Sequence, residues 1–265
     1  MNNIDKVFEK CNSENRKAVV TYTTAGDPNI NDTLSILKTL AKNGADILEV
    51  GVPFSEPMAD GPTIQLAMER ALNSGTKLSD IIKVIREFRE EYKDTAIVLF
   101  SYYNVIMNYG IEELAKVSEE IGIDGWLIVD VPFEEYDEVK PLLQKHNVSL
   151  ITLLAPTTPE ERAKMILKAA EGFVYYITVT GVTGSRNEIP QDLADNLEMI
   201  KKHSPVPVVA GFGISSGEMA KTMSKHADGI VVGSALINKI NDADSITEGL
   251  KDAEEFIIEL ASAVK

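Results

Sequence analysis

Short β-branched and apolar runs alternate along the whole chain with stretches whose apolar positions recur every three to four residues. The runs Ala18–Tyr22, Ile47–Gly51, Ala96–Ser101, Gly125–Val129, Ser149–Leu153, Val174–Thr178, Val206–Ala210 and Gly229–Val232 predict eight strands. Most are nearly continuously apolar, as strands are when both faces are covered in a parallel sheet. Between them, Leu78, Ile81, Ile82, Ile85, Phe88 and Tyr92 follow the i, i+3, i+4, i+7 spacing of an amphipathic helix, as do Ile246, Leu250, Ala253, Ile257 and Leu260. Thr158-Pro159-Glu160-Glu161 reads as a capping box with proline at the first helical position, and Ser215 with Glu218 as a second box. Ile4–Asn12 predicts an additional helix able to cover the bottom of the sheet. The gap between the second and third strands holds two helices, Thr63–Asn73 and Leu78–Tyr92, and Ala235–Ile240 forms a short apolar stretch after the eighth strand.

Eight βα units in 265 residues favour an α/β fold, a single-domain (β/α)8 TIM barrel over residues 1–265. It carries an extra N-terminal helix and additional short helices in loops 2 and 8. The rival is an open doubly wound sheet, which calls for a glycine-rich nucleotide fingerprint after the first strand. That position reads Thr24-Ala25-Gly26-Asp27-Pro28, which is no such fingerprint. The glycines between Gly211 and Gly217 follow a late strand, and the last is one residue too far along, so they do not form one either.

Composition narrows the function classes. With 41 acidic and 26 basic residues the net charge is −15, which repels nucleic acid at long range. The one cysteine, Cys11, excludes an internal disulfide and a cysteine zinc site, and His146, His203 and His226 lack metal-ligand spacing. No metal site is expected. The N-terminus has no apolar signal core and no run is long enough to span a bilayer, so a cytoplasmic, non-membrane protein is expected.

In a barrel the chemistry sits on the βα loops at the strand C-termini. Glu49 lies near the end of an apolar strand. It either points into the barrel mouth, where desolvation raises its pKa into the general acid/base range, or is a buried glutamate satisfied by backbone or a lysine. Asp60, in the turn-rich loop Ser55–Thr63, either caps the following helix or brings a second carboxylate to the same mouth. Gly181–Ser185, Gly211–Gly213 and Gly233-Ser234 lie at three consecutive strand ends. They make turns, or let backbone N–H groups approach a phosphate. Tyr22, Phe100, Leu127, Val129, Tyr175, Phe212 and Val232 fall at strand ends, either as barrel core or as the lining for a flat apolar group. Loops Phe54–Pro62 and Gly181–Glu188 have the glycine and proline content of lids.

These residues resemble one family closely, the α subunits of tryptophan synthase. The run Leu48–Gln65 matches the family signature nearly throughout. Thr24–Pro28, Tyr102–Asn104, Asp130–Pro132, Ala155–Thr158, Gly181–Gly184 and Gly211–Ser215 support it in the family's order. The resemblance implies retro-aldol cleavage of indole-3-glycerol phosphate to indole and glyceraldehyde 3-phosphate. Indole then passes to a β subunit, in an α2β2 tetramer, that condenses it with serine using pyridoxal phosphate. No cofactor is expected on this chain. The resemblance assigns catalysis to Glu49, Asp60 and Tyr175, and phosphate binding to Gly184, Gly213, Gly233 and Ser234. It gives the indole pocket and lid to Tyr22, Phe100, Leu127, Thr183 and Phe212, and the β-subunit contact to Pro53, Glu56, Pro57, Asn104 and Pro132. Glu56 replaces the family's usual aspartate and Val179 its usual arginine, which bear on partner contact and loop-6 closure. Those departures leave a weakly catalytic, regulatory subunit as one alternative. A stand-alone lyase is another, and a different phosphate-binding barrel enzyme a third.

Overall fold

A computed structural model describes residues 2–178, 189–211 and 213–265. Eight parallel strands close into a barrel in sequence order: β1 (Ala18–Thr24), β2 (Ile47–Gly51), β3 (Ala96–Ser101), β4 (Gly125–Ile128), β5 (Ser149–Leu154), β6 (Glu171–Ile177), β7 (Val208–Gly211) and β8 (Gly229–Val232). β8 pairs back onto β1 through Ala18 opposite Gly229. Each apolar run thus forms the strand it predicts. The sixth extends further toward its N-terminal side, and the seventh starts after Pro207, whose ring removes the N–H a ladder needs.

Strand side chains alternate between two cores. Leu48 and Val50 face outward into the layer shared with the surrounding helices, whereas Ile47 faces the barrel interior with Val20, Val98 and Val209. Both faces are covered, which is why the strands read as unbroken apolar runs. The interior core continues downward into α1 (Asn3–Ser13), whose Ile4, Val7, Phe8 and Cys11 close the barrel floor. Phe8 packs against Phe173 with ring centroids 6.0 Å apart. The Asn2 side chain caps α1 by accepting from the Asp5 N–H.

Helices α2 (Ile30–Lys42), α3 (Pro62–Asn73) and α4 (Leu78–Glu91) follow, so loop 2 carries the two expected helices. After β3 come α5 (Tyr103–Tyr109) and α6 (Ile111–Ile121), then α7 (Tyr136–Lys145), α8 (Glu160–Leu167), α9 (Gln191–His203) and α10 (Gly217–Met223). The short α11 (Ser234–Asn241) and the long α12 (Ile246–Ala263) close the chain. Neither expected capping box forms. At α8, Pro159 is itself the N-cap, no side chain caps the helix, and Thr158 Oγ1 accepts instead from the Ala155 N–H. At α10 the cap is Ser216, one residue later than expected, accepting from the Met219 N–H at 3.3 Å. Among the described residues no helix is long and apolar enough to cross a membrane.

Candidate active site

The strand C-termini open onto a cleft of about 470 Å³, within the range of small-molecule sites. Side-chain parity brings Glu49 there. It shares a face with Ile47, two residues earlier, and so points into the barrel. Across the ladder it lies beside Tyr22 on β1 and Val98 on β3. It is 1% exposed, and neither carboxylate oxygen has a hydrogen-bond partner among the described residues. Burial alone pushes its carboxyl up to about 8. The alternative of a structural glutamate satisfied by backbone or lysine is therefore not what the structure shows.

Asp60 reaches the same cleft from loop 2. The loop turns twice, through Met58 N–H to Glu56 O and Asp60 N–H to Pro57 O, before Pro62 starts α3. Proline suits the first helical turn because its missing N–H has no partner there in any case. The N-cap is Gly61 and no side chain caps α3, so Asp60 is not a helix cap. Its Oδ2 accepts from the Tyr102 hydroxyl at 2.6 Å, and the same hydroxyl accepts from the Ala59 N–H at 3.0 Å. Burial raises the Asp60 carboxyl and the Tyr102 hydrogen bond lowers it. Two carboxyl groups over one cleft thus receive different environments, one bare and one hydrogen-bonded, so burial acts unopposed on Glu49 and is opposed on Asp60.

The opposite rim is made by the ends of β7 and β8. Gly213 has φ +40° and a Cβ there would meet nothing among the described residues, and its backbone lines the cleft. Gly233 caps α11 without a side-chain bond, and Ser234 occupies the first turn, where helical N–H groups point outward. Tyr22, Phe100 and Tyr175 complete the apolar wall, with Tyr22 and Phe100 edge to face at 4.8 Å. Burial raises both the Tyr22 and Tyr175 hydroxyls, so both phenols stay neutral.

Several expected residues fall elsewhere. Leu127 is fully buried in the interior core and does not line the cleft. Val232 packs in the outer layer, because parity turns Val231 inward at that strand end. Pro53 is buried and underlies loop 2, whereas Glu56, Asn104 and Pro132 are exposed and Pro57 is half-buried. Thr183, Gly184, Phe212 and Val179 lie outside the described residues, as does the loop Gly181–Glu188. The residue that sequence reasoning passed over is Tyr102. Its signal was a hydroxyl-bearing aromatic immediately after β3, beside the loop that carries Asp60. Asn238 of α11, which also lines the cleft, gave no such signal. Among the described residues no cluster of potential metal ligands occurs.

Fold and cleft together define an enzyme of the (β/α)8-barrel class, its cleft at the strand C-termini. A family model described as "Tryptophan synthase alpha chain" matches residues 8–265. The chain is 43% identical over 260 residues to the tryptophan synthase alpha chain of Thermoanaerobacter sp. (strain X514), covering 98% of each. It is 44% identical over 260 residues to that of Caldanaerobacter subterraneus subsp. tengcongensis, again covering 98% of each. The crystal structure of tryptophan synthase subunit alpha from Legionella pneumophila str. Paris superposes with a TM-score of 0.92 at 38% identity, over 100% of this chain and 98% of that one. The chain belongs to the tryptophan synthase alpha chain family.

Proposed function

We propose that this chain is the lyase subunit that cleaves indole-3-glycerol phosphate to indole and glyceraldehyde 3-phosphate. The observation that carries the reading is Glu49, a carboxyl group with two unpartnered oxygens buried in the wall of the cleft. Held up to about 8, it carries a proton at neutral pH. Carbon–carbon cleavage needs such an acid first. Glu49 gives its proton to C3 of the indole, and positive charge develops on the ring nitrogen. Asp60 faces that N–H as a carboxylate, its second oxygen anchored by Tyr102. Glu49, now ionised, takes the proton of the adjacent side-chain hydroxyl. The electron pair of the C–C bond then returns to the ring, releasing indole and leaving an aldehyde. Glu49 ends protonated, ready for another turnover.

Tyr22, Phe100 and Tyr175 enclose the ring, while the Gly213 backbone and the Gly233-Ser234 end of α11 hold the phosphate. Thr183, Gly184 and Phe212 complete the lid and phosphate grip in this reading. The chain itself works without a cofactor; pyridoxal phosphate belongs to the β subunit. That subunit docks beside loop 2, where Met58 is 82% exposed and Leu66 54%, next to a groove of about 580 Å³ lined by Phe54 and Pro57. An exposed apolar patch of this kind suits a protein partner. Glu56, Asn104 in the first turn of α5, and Pro132 are exposed and follow the C-terminal ends of β2, β3 and β4. The assembly proposed is α2β2, in the cytoplasm. Indole release from indole-3-glycerol phosphate, measured with the purified chain alone and with a β subunit, tests the reading. It predicts slow release alone and faster release in the complex; substrate binding without release under either condition contradicts it.

A further inference from the structure

Asp27 lies in the turn after β1, outside the cleft, yet it joins the two helices that begin there. Its carboxylate is 3% exposed and accepts a two-pronged bond from Arg70 of α3, Nε to Oδ1 at 2.7 Å and an Nη to Oδ2 at 2.9 Å. Oδ2 also accepts from the side-chain amide of Asn241, the last residue of α11, at 2.9 Å. Asn241 is itself fixed, donating to Ile237 O at 3.1 Å. The turn is held in place by the Gly26 N–H on Thr33 Oγ1 at 2.9 Å and the Ala25 N–H on Gly51 O at 2.9 Å.

The ends opposite these bonds matter. α3 starts at Pro62, two residues after Asp60, and Gly61 and Ile64 line the cleft. α11 starts at Ser234, and Ala235 and Asn238 line the cleft beside it. We infer that Asp27 is a positioning residue, tying the helix behind Asp60 to the helix behind the phosphate grip and so setting the span between the two ends of the substrate. The inference rests on the reading of the cleft proposed above. A fork of two charge-assisted bonds to a buried carboxylate fixes orientation as well as distance, which a solvated surface pair does not.

Two mild variants separate this role from a general contribution to folding. Asn241→Ala releases α11 and leaves the Arg70 fork intact. Arg70→Lys keeps the charge but loses the fork, loosening α3 and leaving α11 tied. The expectation for Asn241→Ala is glycerol 3-phosphate binding weaker by about fivefold, the factor corresponding to one hydrogen bond, with KM for the substrate raised in step. Its kcat should stay within about twofold. For Arg70→Lys the expectation is the reverse, a kcat several-fold lower with glycerol 3-phosphate binding unchanged. Variants that lose thermal stability while both keep the kcat and KM of the unaltered chain overturn the proposal. So does the same fall in kcat at constant KM in both variants, as loss of folded protein alone produces, because Asn241→Ala must keep its kcat and raise KM. The unaltered chain in the same assay distinguishes the two levels: if it releases no indole, the reading of the cleft fails and the positioning role fails with it.

Discussion

Glu49 keeps its proton because nothing among the described residues favours the charge. Its ladder neighbours are a neutral phenol and a valine, and burial is the sole cause of its raised value of about 8. The direction has two consequences. Between about 4.5 and 8 the folded chain holds a proton that the unfolded chain has released, so this group makes stability fall as pH rises through that window. In the proposed reaction the same proton starts the cleavage, so kcat/KM should lose activity through an alkaline limb near pH 8. A pH profile of indole release checks this, and a rate that keeps rising through that pH contradicts it. Burial raises Asp60 as well, but there the hydrogen bond from Tyr102 works against it and favours the charged form. Tyr102→Phe should raise the Asp60 pKa and lower kcat by about tenfold, the scale of a charge-assisted hydrogen bond, with the Glu49 limb unmoved. Unchanged kcat in that variant would remove Tyr102 from the mechanism.

At the scale of elements, period-two alternation was enough to place Glu49 inside the barrel, because a strand residue's face follows from its neighbours. Alternation says nothing of height, however. Leu127 faces the interior as its strand-end position suggests, yet it is covered on all sides. Val232 shows the related limit, since a strand end one residue off in parity faces the other core. The capping motifs failed because a Ser or Thr three residues before a Glu is common, and the cap is set by where the loop enters the helix. Tyr102 stayed hidden because its partner lies 42 residues away in sequence, and only the pairing of β2 with β3 brings loops 2 and 3 together. Helix α1 was legible as an element and as a cover for the barrel bottom. Its Ile4 is fully buried, packed close to Gly125 and Gly172. Ile4→Ala should cost about 2–4 kcal/mol of stability in a urea titration while leaving KM for the substrate unchanged. A KM shift comparable to the stability loss would contradict the separation of floor from cleft.

The whole molecule divides its labour along the barrel axis. The floor is apolar and closed by α1, and the mouth carries two carboxyl groups whose burial opposes their charge. Stability is thereby given up at the proposed site of the chemistry, as stability–function trade-offs lead one to expect. The β-subunit surface proposed around Met58 and Leu66 adjoins the loop that presents Asp60, so a docked partner can bias the loop's position and hence the rate. Indole release by a Glu49→Gln chain, shown by circular dichroism to be folded, bears on all of this most directly. The amide neither gives nor takes the proton, so release should fall by at least about a hundredfold. Its stability should also lose the decline that Glu49 contributes between about pH 4.5 and 8. A folded Glu49→Gln chain that releases indole at the rate of the unaltered protein would contradict the account.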